Sequence, residues 1–273
     1  RPLAKVDRSR RCCKADGGRG RRYLWGMQEP PPDLAHPRIV PVGDAAVLVE
    51  FGETIDPALN AAVLALDARL RAVAWPGVVE CVPTYRSLLI HYDPDALDGG
   101  ELIARLAELD LGHAGPVPEG RLWTVPVCYG GEYGIDLEAV AARHGLTPEQ
   151  VVALHIAPTY RVYMVGFIPG FTYLGGLDPR LATPRREDPR PRTPAGTISI
   201  GGIQAGIASL EAPSGWHLLG RTPVRTFDPE REPAILLEPG DRVRFKTIDP
   251  ATFAELDRRA AAHDPLIAPE EPA

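Results

Sequence analysis

The chain has 273 residues, a net charge of -6 and an apolar fraction of 44%, the composition of a globular protein with more length than one compact core usually holds. The charge is unevenly divided: residues 1–26 hold nine basic side chains against Asp7 and Asp16, which leaves -13 for the remainder and argues against a nucleic-acid surface. No apolar run approaches the roughly 20 residues that cross a bilayer, and the basic start is not followed by the apolar segment of a secretory signal, so a cytoplasmic protein without a membrane partner is expected.

In chain order, residues 1–35 are expected to be a disordered basic tail. They show no apolar periodicity, and Met27 stands just before Pro30-Pro31-Pro32. The expectation is translated upstream sequence or an expression scar, with the real start near Met27, rather than a nucleic-acid arm. Residues 36–110 then read as a first domain. Val47–Phe51 is strand-like, and Asp56-Pro57 opens a helix with an N-cap and a proline at the first helical position. Leu59, Val63, Leu66, Leu70 and Val73 form one apolar stripe along it. Val78–Val82 and Ser87–Tyr92 are short strands about a turn, and Leu102, Ile103 and Leu106 mark a second helix. Strand, helix, strand, strand, helix and a closing strand is the split βαβ order of ferredoxin-like domains.

Residues 111–121, rich in Gly and Pro, read as a linker to a second domain at 122–250. Leu122–Cys128 alternates as a strand. Asp136–His144 is a short helix ended by Gly145, and Thr147-Pro-Glu-Gln150 is a capping-box opening for a helix through Ala157. Short strands follow at Val162–Gly166, Thr197–Ile200, Gln204–Leu210, Trp216–Leu219, Ala234–Leu237 and Arg242–Lys246, a density that suggests a closed or nearly closed β-barrel. The four prolines of Thr183–Pro194 make that segment a loop. Pro250–Ala262 is a final helix, within a C-terminal helix and tail at 251–273 whose last residues are expected to fray. The fold class is thus α+β, an α/β domain followed by a barrel.

Chemistry-bearing motifs are few. Cys12 and Cys13 lie in the tail, Cys81 and Cys128 stand alone as expected buried thiols, and the histidines show no His-x-x-x-His pair, so no metal site is expected. Neither a phosphate-binding Gly-rich loop nor a Gly-x-Ser-x-Gly elbow occurs. The informative stretch is Gly166-Phe-Ile-Pro-Gly-Phe-Thr-Tyr-Leu-Gly-Gly176, which has four glycines, three aromatics and no charge. Its glycines permit close approach and its rings make a binding wall. Phe167, Phe171 and Tyr173 surround its Pro169-Gly170 turn and are either core or ligand wall, as is Trp216. His155, near a helix C-terminus, is a packed histidine or a proton donor facing the barrel. Arg185, Arg186, Arg190 and Arg192 crowd the proline loop as a solvated face or a carboxylate- or phosphate-binding group. Gln204 stabilises a turn or bonds a polar ligand, and Arg221, in the tight Gly220-Arg-Thr-Pro223 segment, is an anion ligand or a surface ion-pair member. The candidates are His155 and Arg221 for catalysis and Phe167, Phe171, Tyr173, Arg185, Gln204 and Trp216 for substrate binding.

Gly166–Leu177, Thr183-Pro-Arg185, Pro194-Ala-Gly196 and Gly215-Trp-His-Leu-Leu-Gly-Arg-Thr-Pro223 together resemble the 5-oxoprolinase B-subunit family, also called the allophanate hydrolase subunit 1 or KipI family. Pro41–Ala46 and Arg86–Tyr92 look like its N-terminal domain, and the likeness covers about residues 36–250. One departure is Gly206-Ile-Ala-Ser209, where the family usually has an aromatic-proline pair after Gly-Ile. The resemblance implies a cyclophilin-like second domain and a component that works with the C and A subunits of 5-oxoprolinase to open 5-oxo-L-proline to L-glutamate. It implies ATP as co-substrate, with Mg at a shared site, because phosphorylating the amide oxygen of an unstrained lactam makes it a leaving group. The same family likeness also covers inhibition of a sensor histidine kinase and a urea carboxylase or allophanate context.

Overall fold

The structure, a computed structural model, describes residues 37–109, 111 and 120–270. The expected tail at 1–35 and most of the expected linker at 111–121 lie outside the described residues. The first core is built by β1 (Arg38–Pro41), β2 (Ala46–Glu50), α1 (Pro57–Val73), β3 (Val78–Pro83), β4 (Ser87–Tyr92) and α2 (Gly99–Ala107). Asp56 caps α1 by accepting from the Ala58 and Leu59 amides, with Pro57 at the first helical position. Leu59, Val63, Leu66 and Leu70 are buried against Val47, Val49, Leu88 and Ile90 of the sheet. Val73, expected to end that stripe, is 52% exposed, because the helix closes at left-handed Ala74 one residue later.

The sheet order is β1-β2-β4-β3 with every neighbouring pair antiparallel. β2 and β3 therefore run parallel with β4 between them, the split βαβ arrangement. The outer place beside β2, where a closing strand after α2 was expected, is taken by β1, which precedes the unit and pairs as a hairpin.

The second core is a closed barrel. β5 (Leu122–Tyr129), β6 (Tyr160–Val165), β7 (Thr172–Gly175), β9 (Thr197–Gly201), β10 (Gln204–Ile207), β12 (His217–Arg221) and β13 (Arg242–Thr247) pair in the circular order β12-β9-β10-β7-β6-β13-β5, and β5 closes the ring on β12. Closure gives every strand of the ring two neighbours. Only β5 and β13 run parallel. Val125, Val127, Val162, Leu174, Ile198, Ile200, Ile207, Leu219 and Val243 fill the interior. α3 (Leu137–His144) and α4 (Pro148–Ile156) pack on one side, α3 ending at left-handed Gly145 and α4 opening with the full Thr147–Gln150 capping box. α5 (Pro250–Ala261) follows the last barrel strand.

Three segments differ from expectation. Ala234–Leu237 is not a barrel strand: its backbone bonds run to Thr226 and Asp228 in a neighbouring loop, and Pro233 and Pro239 remove donors on either side. Gln204–Leu210 stops as a strand at Ile207. The proline segment contains β8 (Arg190–Thr193), paired only with β11 (Ala212–Ser214), an edge position where Pro191 is tolerated. β14 (Pro269–Glu270) pairs with the start of β5, and the last three residues, expected to fray, lie outside the described residues. Both lone cysteines are free, but only Cys128 is buried; Cys81 is half-buried, its thiol raised to about 11 mainly by desolvation.

His155, a catalytic candidate, lies on α4 inside the second core. Its ring is fully buried, stacked 4.9 Å from Phe245, with Nδ1 2.9 Å from the Tyr129 hydroxyl. Nε2 is buried without a partner, and desolvation pushes the imidazole down to about 3. The ring is enclosed within the core, away from solvent. Gly170 is the second central residue of a turn that Pro169 begins: its φ is 74°, and the Phe171 amide donates to Ile168 O at 3.1 Å.

Both positions have measurable consequences for stability. The folded His155 imidazole titrates below the unfolded value of about 6.5, so the unfolded chain binds the extra proton and stability falls as pH drops below that value. Urea unfolding of wild type between pH 6.5 and 5 should show up to about 1.4 kcal/mol per pH unit of loss that is absent in His155→Phe; parallel slopes in the two proteins refute this. A Cβ at residue 170 would stand 2.7 Å from Phe227 Cβ and 2.9 Å from Thr226 O in addition to its left-handed strain. Gly170→Ala should therefore cost about 1 kcal/mol or more in denaturant unfolding, and an unchanged midpoint would contradict it.

Candidate functional site

Along β7, β9 and β10 the interior positions carry Leu174, Ile200, Ala205 and Ile207, so the alternate positions Gly175, Gly201 and Gly206 face outward. Aromatic rings occupy the space their missing side chains leave. A Cβ on Gly175 would lie 2.2 Å from the Tyr163 ring, one on Gly201 2.8 Å from the Trp216 ring, and one on Gly206 3.1 Å from Trp216 and 3.3 Å from Phe171. Phe171 packs 4.7 Å from Tyr173 and edge-on to Trp216 at 6.2 Å, and Tyr173 meets Trp216 at 6.0 Å. Phe167 stands edge-on to Phe171 at 5.8 Å, 65% exposed and with a left-handed φ of 71°. That conformation is strained for a bulky residue.

The other half of the molecule completes this layer. Tyr85, in the turn between β3 and β4, lies 5.2 Å from Tyr163 and 6.2 Å from Tyr173. Beneath it Asn60 of α1, fully buried, donates to both Thr84 O and Tyr163 O at 3.1 Å and accepts from Arg161 Nε at 3.2 Å. The seam between the two cores is thus a polar clamp under an aromatic surface. Burial holds the Tyr85 and Tyr173 phenols above the ordinary tyrosine range, against the opposing pull of Arg185, so both are hydroxyl donors at neutral pH.

The proline segment straps over this surface as an ordered loop. Thr183 exchanges backbone bonds with Gly202, the Arg186 amide donates to Gly215 O at 2.7 Å, and His217 Nε2 lies 2.9 Å from Pro184 O. Arg190 grips the buried Asp136 carboxylate through two bonds of 2.6 and 2.9 Å, and the Leu218 amide donates to the same carboxylate at 2.8 Å. Arg186 reaches Asp136 at 3.8 Å and Arg192 reaches Glu211 at 3.7 Å. Arg185 is exposed, has no carboxylate within ion-pair distance among the described residues, and lies 5.6 Å over the Trp216 ring. One arginine of the four therefore remains for an anionic ligand. Gln204 faces outward on β10, opposite Gly201 and two residues before Gly206, on the same side as the rings.

Arg221 lies elsewhere, at the far end of β12 from Trp216. Its Nε donates to Ala195 O at 3.2 Å, and its guanidinium lies 5.5 Å over Phe253. The two motif segments clasp there: the Thr222 amide donates to Gly196 O at 2.8 Å, and a Cβ on Gly196 would stand 2.2 Å from Thr222 O. Arg221 and Arg225 line a cleft of about 410 Å³ beside Ser209, Asp228, Asp257 and His263. Ser209, in the segment that departs from the family pattern, donates its hydroxyl to Pro169 O and so props the Pro169-Gly170 turn.

Of the eight expected site residues, Phe167, Phe171, Tyr173, Arg185 and Trp216 come together, with Gln204 on the same face, while Arg221 belongs to a second cleft and His155 to the core. Tyr85, Tyr163 and Asn60 were not anticipated, because each acts across the seam and none carries a local sequence signal.

The family described as carboxyltransferase domain, subdomain C and D, matches residues 37–237. The 5-oxoprolinase B-subunit of Bacillus subtilis is 40% identical over 222 residues, covering 77% of this chain and 92% of the relative. The crystal structure of TTHA0988 matches at 42% identity with a TM-score of 0.67 over 75% of this chain, and the chain spans only 40% of that one. The urea amidolyase of Kluyveromyces lactis, at 19% identity and a TM-score of 0.74, shares the fold over 89% of this chain, which spans 17% of that enzyme. Matched over most of its described residues and along nearly the full length of the Bacillus relative, the chain belongs to the 5-oxoprolinase B-subunit family.

Proposed function

We propose that this chain is a subunit of an ATP-dependent 5-oxoprolinase, which hydrolyses 5-oxo-L-proline to L-glutamate with ATP cleavage, and that it is inactive without the C and A subunits. The observation that carries the reading is the seam: an uncharged aromatic surface with a single uncommitted arginine, Arg185, on a member of this family. The methylene face of a small lactam fits against rings such as Tyr173 and Trp216. Its carboxylate matches the guanidinium fork of Arg185, and Gln204 supplies an amide on the same face. Phe167, exposed and strained beside this surface, suits contact with a partner protein or the substrate.

ATP binding belongs, in this reading, to a site shared with the partners. Arg221 and Arg225 are the residues of this chain that would face a phosphate. Among the described residues no group of three or more His, Cys, Asp or Glu side chains is placed to hold a metal, so protein ligands to Mg would come from the partners. ATP supplies the activation that turns the amide oxygen into a leaving group, and this chain's residues bind and orient the lactam. The first half, residues 36–110, is read as ferredoxin-like with β1 in the closing-strand position, and the barrel at 122–250 as cyclophilin-like. No helix among the described residues is long and apolar enough to cross a membrane, and a cytoplasmic complex is proposed.

Co-expression with candidate A and C subunits, followed by an assay of ATP-dependent glutamate formation from 5-oxoproline, tests the reading. The homogeneous chain alone should turn over neither ATP nor 5-oxoproline, and the complex should turn over both. Arg185→Ala in the complex should lower kcat/KM for 5-oxoproline by roughly 10- to 100-fold, the loss of one charge-assisted contact of about 1.5–3 kcal/mol. Steady turnover by the isolated chain, or a complete complex that forms no glutamate, would overturn the assignment.

A further inference from the structure

The aromatic layer contains one polar atom that no interaction within the chain explains. The Tyr85 hydroxyl is buried and has no hydrogen-bond partner, whereas buried hydroxyls in folded proteins are almost always bonded because an unmet one is costly. A phenylalanine would fill the same space among Tyr163 and Tyr173 without that cost. Nor is the side chain loosely placed. The Thr84 amide donates to Ser87 O at 2.8 Å, the Thr84 and Ser87 hydroxyls are 2.8 Å apart, and buried Asn60 binds Thr84 O. The turn carrying Tyr85 is therefore fixed from both sides, and its ring is held by two aromatic contacts. The cation of this layer is Arg185, 5.6 Å over the Trp216 ring, which meets Tyr173 at 6.0 Å, and Tyr173 meets Tyr85 at 6.2 Å; Arg185 is exposed and sits at the end of a long flexible stem. A neutral donor and a cation thus share one aromatic surface, a set that matches a ligand carrying both a carbonyl and a carboxylate.

We propose that Tyr85 contacts the ligand of the seam, its hydroxyl donating to the carbonyl oxygen of a cyclic amide whose carboxylate is held by Arg185. This rests on the seam being the substrate site and assigns the first half of the chain a part in recognition. It also explains the cost left in the unliganded chain: the hydroxyl is desolvated in advance, so binding does not have to strip it of water.

Calorimetric titration of the full chain with two probes tests this: 5-oxo-L-proline, and 2-pyrrolidinone, which keeps the lactam and lacks the carboxylate. Wild type is expected to bind both. Tyr85→Phe should weaken both by roughly five- to tenfold while its melting temperature stays equal to or above that of wild type, since the variant removes an unmet polar atom. Arg185→Ala should weaken 5-oxo-L-proline alone. Wild-type affinity for both probes in Tyr85→Phe overturns the proposal, as does a lower melting temperature in that variant, which would mean the hydroxyl has a structural partner such as a bridging water. Absence of binding of either probe to wild type overturns it as well. If the binding pattern holds but the complete complex forms no glutamate from 5-oxoproline, the enzymatic assignment fails and the lactam contact stands.

Discussion

Three outward positions on the barrel, Gly175, Gly201 and Gly206, set the geometry on which the rest of the functional surface depends. A side chain at Gly175 or Gly201 would collide with a ring, far inside van der Waals contact for Tyr163 at Gly175, and one at Gly206 would press tightly on Trp216 and Phe171. Their absence lets Trp216, Phe171 and Tyr163 lie against the backbone of the sheet. Trp216 in turn supports Arg185 from below, and Tyr163 receives Tyr85 from the other core. A barrel normally buries one face and wets the other. Here the outer face is covered as well, by rings on one side and by the Asn60 clamp on the other, and the surface is shaped by what the strands leave out.

Charge is distributed by the same economy. The strap from Thr183 to Pro194 would carry four unpaired arginines if its sequence alone were considered. Asp136 absorbs Arg190 through a bidentate pair and Arg186 through a longer contact, and its remaining capacity goes to the Leu218 amide of β12. A buried carboxylate is tolerable only when it is paired and hydrogen-bonded in this way. The pair fixes the strap to the barrel wall, and fixing the strap is what leaves Arg185 over Trp216 rather than free in solvent.

The legible parts of the sequence were local. The Asp56 cap, the Thr147–Gln150 box, the Gly145 stop and the stripe from Leu59 to Leu70 each depend on residues within a turn or two, and each formed as expected. The glycine-aromatic run was legible as a shaped surface for the same reason, since Gly170 beside Pro169 needs only its own φ. What sequence did not reveal depends on distant partners. His155 is indistinguishable in sequence from an accessible helix-terminal histidine; its burial is set by Phe245, ninety positions later in the chain, and by Tyr129. Ala234–Leu237 has the apolar character of a strand, yet its bonds go to Thr226 and Asp228 because the flanking prolines deny it a place in the ring. Pro269-Glu270 carries no local strand signal, and its strand comes from pairing with the start of β5, far earlier in the chain.

The seam and the Arg221 cleft are built by different means, and the difference bears on what each can do. The seam is assembled from both cores, so its shape depends on Asn60 holding the Tyr85 turn against β6; loss of either core would dissolve it. The Arg221 cleft is made within the barrel half alone, by backbone bonds between Gly196, Ala208 and Thr222 that leave no room for even a methyl group. The seam is held by contacts from both cores, with Asn60 bonded to Thr84 O on one side and Tyr163 O on the other. A backbone clasp that cannot adjust suits a fixed charge, as for a phosphate or a partner's acidic group, where preorganisation contributes more than adaptability. The chain thus carries one wall assembled across both cores and one closed within the barrel half.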